Sequence, residues 1–278
     1  MFLTIYDKKT KKTDTINKKV LLSLKYWFTE YVKAFYSEDA DFQQNIDMKV
    51  EHTRRVCREI IDIGKSLNLS PKELFLAEAI ALLHDVGRFE QYAHYQTFVD
   101  YYSEDHAELG VKIIRNNGVL INFDKQISDL ILRTILYHNR AELPKNETER
   151  CLFFSKLLRD ADKLDILRVV TNYYQENNGK RNEALELNLP DLPGISDNIY
   201  TDLLAERIAK AKDLKTLNDF KLFQMGWIYD VNFTRTFQLI RERRYLEKIQ
   251  NALPKTERVL RVYLKINTFL KRKCYDKC

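Results

Sequence analysis

Apolar residues recur at intervals of three and four along most of this chain, the spacing of a helix with one buried face. From Asn17 the stripe is Leu21, Leu24, Phe28, Val32 and Phe35, and Ser37 to Asp41 is a polar connection. A second helix is predicted over about 47–67, with His52 on the stripe of Val56, Ile60, Ile63 and Leu67. Ser70-Pro71-Lys72-Glu73 supplies a cap, a first-turn proline and a capping-box glutamate, so a third helix starts there. It runs through the nearly all-apolar segment Phe75 to Leu83 into His84-Asp85, and Gly87 is expected to stop it. Residues 88–104 read as a long connection rich in aromatics: Phe89, Tyr92, Tyr95, Phe98, Tyr101 and Tyr102. Connections of this length are often binding loops, and the rings could stack on a nucleobase or pack down on the domain.

Further helices are predicted over about 105–116, 124–137 and 149–174. In the first, His106 shares a face with Gly110, Ile113 and Ile114; in the second, His138 aligns with Ile127, Ile131, Thr134 and Ile135. The third has Asp162 on a stripe with Leu158, Ile166 and Val169. Residues 175–199 shift to Asn, Gly, Pro and Asp and read as a loop or boundary. Helical patterning returns over about 200–213, 216–250 and 255–272, with Pro254 marking a break and Phe223, Trp227, Ile228 and Val231 packing this part onto the body. Residues 1–15 are lysine-rich without a period, a short ribbon or a loose arm. With no run of strands and no repeat, the predicted fold is all-α: an N-terminal arm and helix (1–46), a core (47–175) and a C-terminal helical extension (176–278).

Composition changes this picture little. Apolar residues make up 45% and charged residues 31% of the chain, as in globular proteins with a real core. No long uncharged apolar window predicts a membrane span. The first residues place their charges after a short apolar run, the reverse of a secretory signal. Cys57, Cys151, Cys274 and Cys278 are few and scattered, so reduced thiols and a cytoplasmic setting are expected. The net charge of +6 is uneven: residues 241–278 hold 12 Lys/Arg against 4 Asp/Glu, a surplus of +8, leaving about −2 for the rest. Such a surplus could attract nucleic acid or acidic lipid, or be an ordinary solvated helix surface.

The chemistry lies in the polar residues on apolar stripes. These are His52, His84-Asp85, His106, His138 and Asp162, which include four of the five histidines. Buried polar groups must be paired or bind something. Imidazoles and carboxylates together suit a divalent metal such as iron, manganese, cobalt or zinc. His94 falls in the aromatic connection and is expected to have a supporting role.

In this arrangement the chain resembles the HD superfamily of metal-dependent phosphohydrolases, whose pattern is His, His-Asp and a distant Asp on a helical bundle. The matching residues are His52, His84-Asp85 and the Asp162 of Asp160-Ala161-Asp162-Lys163-Leu164-Asp165, and the likeness covers about 48–172. The resemblance implies one metal held by His52, His84, Asp85 and Asp162. His106 and His138 match the extra ligands of binuclear branches, which implies a second metal there with Asp85 bridging. One or two divalent ions per chain are thus expected, from Fe, Mn, Co, Ni, Mg or Zn. The implied activity is hydrolysis of a phosphate ester or anhydride of a small, nucleotide-like substrate, through a hydroxide held between the metals. Arg88 and Lys163 are candidates to bind the phosphate beside the catalytic Asp85, with Arg140 a weaker one. Asp160 and Asp165 are expected to act as caps, ion-pair partners or supports for the ligands.

The Gly-Tyr-Pro signature of branches that cleave cyclic dinucleotides is missing after His138, where Asn139-Arg140-Ala141-Glu142-Leu143-Pro144 stands. Two other readings stay open: an HD-fold di-iron oxygenase, and a regulatory module that binds metal or nucleic acid without catalysis. The extension could complete the core, close the pocket or pair two subunits, so a homo-oligomer is open as well.

Overall fold

A computed structural model describes residues 12–176 and 183–275. The first helix, α1 (Lys18–Lys33), begins where the Asn17 side chain accepts from the Val20 N–H. The second, α2 (Ala40–Ser66), starts earlier than the apolar stripe suggests, because Asp39 caps it by accepting from Phe42 N–H. Part of the expected polar connection is therefore the first turn of α2. The helix α3 (Pro71–Leu83) has the full capping box of Ser70 and Glu73. It is apolar on every side because α1, α2, α6 and α7 all pack around it.

The connection expected over 88–104 is helical in its first half. Gly87 does not only end a helix; it opens the next one, α4 (Gly87–Tyr95), which stops at Gln96 in the left-handed region. A short 3-10 turn follows at Asp100–Tyr102. A Cβ on Gly87 would lie 2.1 Å from the His106 carbonyl oxygen and 2.7 Å from the Gly110 nitrogen. Only a residue without a side chain lets α4 start this close to α5, and that crossing sets Asp85 beside His106. The aromatics divide accordingly. Phe89 and Tyr92 are buried, Phe98 is half-buried on Tyr92, and Tyr95, Tyr101 and Tyr102 are exposed.

Next come α5 (His106–Asn116) and α6 (Lys125–Tyr137), each capped by an aspartate, Asp105 and Asp124. The long helix α7 (Glu149–Glu176) buries Leu157, Leu158, Ala161, Leu164, Asp165 and Leu167. Asp162, Ile166 and Val169 from its expected stripe are half-buried at the edge of that face. Beyond it are α8 (Glu183–Glu186), α9 (Asp197–Leu204), α10 (Leu217–Gly226), α11 (Thr234–Glu242), α12 (Tyr245–Asn251) and α13 (Glu257–Tyr275). The continuous helix predicted over 216–250 is thus three helices. One break falls at residues 231–233, where the Asn232 and Phe233 N–H groups donate to buried Asp160 on α7 instead of to a helical turn. The other is Arg244, in the left-handed region.

The described residues form an all-α bundle without strands; Thr13 makes one isolated parallel bridge to Phe123. The rest of the predicted N-terminal ribbon lies largely outside the described residues. The two long helices α2 and α7 pack on each other and on α3, with α5 and α6 completing the layer over their ligand-bearing side. One apolar core runs from Ile16 through these helices into Leu239, Ile249 and Ile266 of the extension. Arg243 ties the extension to α2 through both oxygens of Glu59, at 2.7 and 2.9 Å. The thiols of Cys57, Cys151 and Cys274 are free and buried, and Cys278 lies outside the described residues. No helix of the described chain is long and apolar enough to cross a membrane.

Candidate metal centre

Helix ends build most of this site. His84 is the C-cap of α3 and His138 the C-cap of α6. The last carbonyls of a helix lack intrahelical partners. Each of these rings meets one: Nδ1 of His84 donates to the Ala81 oxygen at 2.7 Å, and Nδ1 of His138 to the Ile135 oxygen at 2.6 Å. A carbonyl can only accept, so the proton sits on Nδ1 and Nε2 keeps a bare lone pair. Carboxylates do the same for the other two rings. His52 Nδ1 lies 2.7 Å from Asp165, and His106 Nδ1 lies 2.8 Å from Asp100. Four histidines thus turn four Nε2 atoms towards one another, each fixed from behind, as metal-ligating imidazoles usually are.

Asp85, in the turn between α3 and α4, stands in the middle and is almost wholly buried. Its two oxygens face different groups. Oδ2 is 3.5 Å from His52 Nε2 and 3.9 Å from His84 Nε2. Oδ1 is 3.5 Å from His106 Nε2 and 3.8 Å from His138 Nε2. From α7, Asp162 Oδ1 completes the first group, 3.1 Å from His52 Nε2 and 3.8 Å from His84 Nε2. Donors bound at about 2.1 Å to one cation stand roughly 3 to 3.5 Å apart, close to these separations. Two further observations favour a cation. The buried His84 Nε2 has no hydrogen-bond partner. The Nε2 atoms of His106 and His138 are 2.9 Å apart, although with both protons on Nδ1 neither can donate to the other. The residues therefore fit divalent metal in both groups, and all six residues singled out from the sequence are brought together.

The family model for the HD domain matches residues 50–167. The chain carries an HD domain. Domains of this family are in general metal-dependent hydrolases, and the clustered His and Asp donors suit divalent cations. No curated protein and no solved structure matches the chain.

Electrostatics in the HD domain follow from burial and from these pairings. Burial lowers the pKa of His84 and of His106 to about 4, with Arg88 adding to the effect on His106, so both rings are neutral and ready to bind metal. His52 goes the other way: burial opposes its charge, but Asp162 and Asp165 outweigh that and raise it to about 9. Burial also works against charge on Asp85, yet the charges of Lys49 and Arg88 hold its carboxyl well below the usual range.

Of the three cations expected to bind phosphate, Arg88 has its Nε 3.6 Å from Asp85 Oδ1, while Lys163 and Arg140 make other contacts. Arg88 Nη1 donates to Phe98 O at 2.5 Å, to Gln91 at 2.8 Å and to Asp100 at 2.9 Å. Lys163 is bound to Asp230 of the extension, which also pairs with Arg159 at 2.5 Å. Arg140 is exposed and lies over the Tyr137 ring. His94, expected to support the ligands, is instead exposed on α4 beside Tyr95.

Sequence reasoning missed two residues. Lys49, one turn before His52, reaches Asp85 Oδ2 at 3.0 Å; its three-residue offset from His52 was the available signal. Asp100 joins His106, Arg88 and Gln91, but it lies on a 3-10 turn, where helical periodicity carries no information.

Proposed function

We propose that this chain is a metal-dependent phosphohydrolase acting on a phosphate ester or anhydride of a small, nucleotide-like substrate. The observation that carries the reading is Asp85, whose two oxygens divide between His52/His84 and His106/His138. That division suits two cations sharing one carboxylate. Cations so held would lower the pKa of a water and neutralise charge on a phosphoryl group.

The chain's own residues do the positioning. His52, His84 and Asp162 furnish one donor group, and His106 and His138 the other. Asp165 and Asp100 fix the tautomers of His52 and His106 from behind. Arg88, half-buried, holds the Phe98–Asp100 segment against α4 and so keeps the Asp100–His106 pair in register.

The nucleic-acid reading rests on the basic C-terminal segment, and part of that charge is paired within the chain. Arg258 pairs with Asp197, Arg261 with Glu257, and Lys265 and Arg272 with Glu206.

The test is a screen of nucleoside mono-, di- and triphosphates for phosphate release by protein loaded with manganese or iron, run beside oxygen consumption. Phosphate release that disappears in Asp85→Asn is the expected result. Oxygen uptake without phosphate release would replace the proposal with the oxygenase reading.

A further inference from the structure

Most buried or half-buried cations around the centre already have an acceptor outside the two donor groups. Arg88 has Phe98 O and Asp100, Arg55 has both oxygens of Asp165, and Arg159 and Lys163 share Asp230. Arg88 Nε also faces Asp85 Oδ1, but at 3.6 Å, beyond hydrogen-bond distance. Lys49 differs in that its ammonium donates a hydrogen bond to Asp85 Oδ2, an oxygen of the donor groups themselves. That same oxygen faces His52 and His84. A divalent cation held by those residues would bind the same oxygen that accepts from Lys49. Two positive charges then compete for one oxygen, at a spacing where repulsion in a half-buried site is strong. The ammonium sits on a flexible four-carbon stem, so it can swing away at little cost. Its route is open at one side, for the side chain is 16% exposed and its nitrogen lies 5.0 Å from the centre of the Phe98 ring.

We propose that Lys49 is the substrate-binding cation of this site: once Asp85 carries metal, its ammonium turns to a non-bridging oxygen of the substrate phosphoryl group. The role rests on the phosphohydrolase reading above and assigns Lys49 the part expected of Arg88 and Lys163. Arg88 and Lys163 become positioning residues, held by Asp100 and Asp230. Phe98 forms the wall along which the lysine moves.

The experiment is calorimetric titration of inorganic phosphate into the full chain preloaded with manganese, for wild type, Lys49→Met and Lys49→Arg, with manganese binding measured on each. Manganese should bind Lys49→Met at least as tightly as wild type, because a competing charge is gone. Its phosphate affinity should fall about tenfold or more, the size expected for a charge-assisted hydrogen bond, and Lys49→Arg should recover much of it. Equal phosphate affinity in wild type and Lys49→Met overturns the role of Lys49 while leaving the hydrolase reading intact. Loss of manganese in Lys49→Met also overturns it, since the lysine would then be a support for the ligands. Wild-type protein that takes up manganese but binds no phosphate fails the hydrolase reading itself, and the proposal with it.

Discussion

A histidine that caps a helix C-terminus can serve two purposes with its two nitrogens. His84 and His138 use Nδ1 to satisfy a carbonyl of the last turn and so present Nε2 as a ligand. The ligands should then behave as two sets. Elemental analysis of His106→Ala or His138→Ala should find one divalent ion fewer per chain than wild type, whereas Asp85→Asn should lose both. The carboxylates behind the rings should matter by affinity and not by count. Asp165→Asn leaves His52 in place but weakens its Nδ1 acceptor and should cost about 10- to 100-fold in metal affinity. A titration with manganese checks this, and an unchanged affinity would mean that Asp165 serves only Arg55. These six candidate ligands were legible in the sequence because each is a polar residue on or beside an apolar helical stripe. Lys49 was less so, since a half-buried lysine within a helix looks like any solvated one.

At the scale of elements, the centre depends on how closely α4 approaches α5. Gly87→Ala places a methyl group 2.1 Å from the backbone oxygen of His106, and backbone cannot step aside as a flexible side chain can. The variant should lose about 3 kcal/mol of stability and should bind less metal at His106 and His138. Gly110→Ala is the matched control. Its new carbon would meet the Gly87 nitrogen at 3.4 Å, an ordinary contact, and better helix propensity offsets the crowding. Its stability should stay within about 1 kcal/mol of wild type. Urea unfolding of the pair measures both, and equal midpoints would show that the crossing relaxes. Sequence reasoning read Gly87 as a stop, and α3 does end just before it. That α4 starts at once could not be read, because residues 88–104 owe their helix to packing of Phe89 and Tyr92 beneath the domain and not to a regular stripe.

For the whole molecule, the extension is bound to the ligand-bearing helix by charge as well as by apolar packing. Asp230 pairs with two cations of α7, buried Arg159 and half-buried Lys163, and Arg159 also donates to the His138 and Arg140 carbonyls. Asp230→Asn removes the counter-charge and should cost about 2 kcal/mol at neutral pH. Burial opposes the charge of Asp230, but Lys163 and Arg159 outweigh it and hold its carboxyl below the ordinary range. A folded pKa below the unfolded value of about 3.9 gives stability that is present above that pH. The stability is lost as pH falls through the depressed value. The gap in Tm between wild type and Asp230→Asn should therefore be steady from about pH 5 to 8 and shrink below about pH 4. A gap that persists into acid would mean that shape and hydrogen bonding, not charge, make the contact.

By itself the sequence determined the all-α class, most helix starts and the six residues that the structure brings together as a candidate metal centre. Those features depend on local physics: the period of apolar residues, caps one to three residues away, and polar groups placed where a core must be. Only the tertiary structure decided which oxygen of Asp85 faces which histidines, and that Arg88 and Lys163 are held by Asp100 and Asp230. Only it showed that Lys49 lies against the centre and that the predicted long helix breaks where Asp160 takes its backbone N–H groups. Each of these joins residues far apart in the chain or across an irregular turn. Such contacts are set by how helices cross, and helical periodicity holds no record of the crossing.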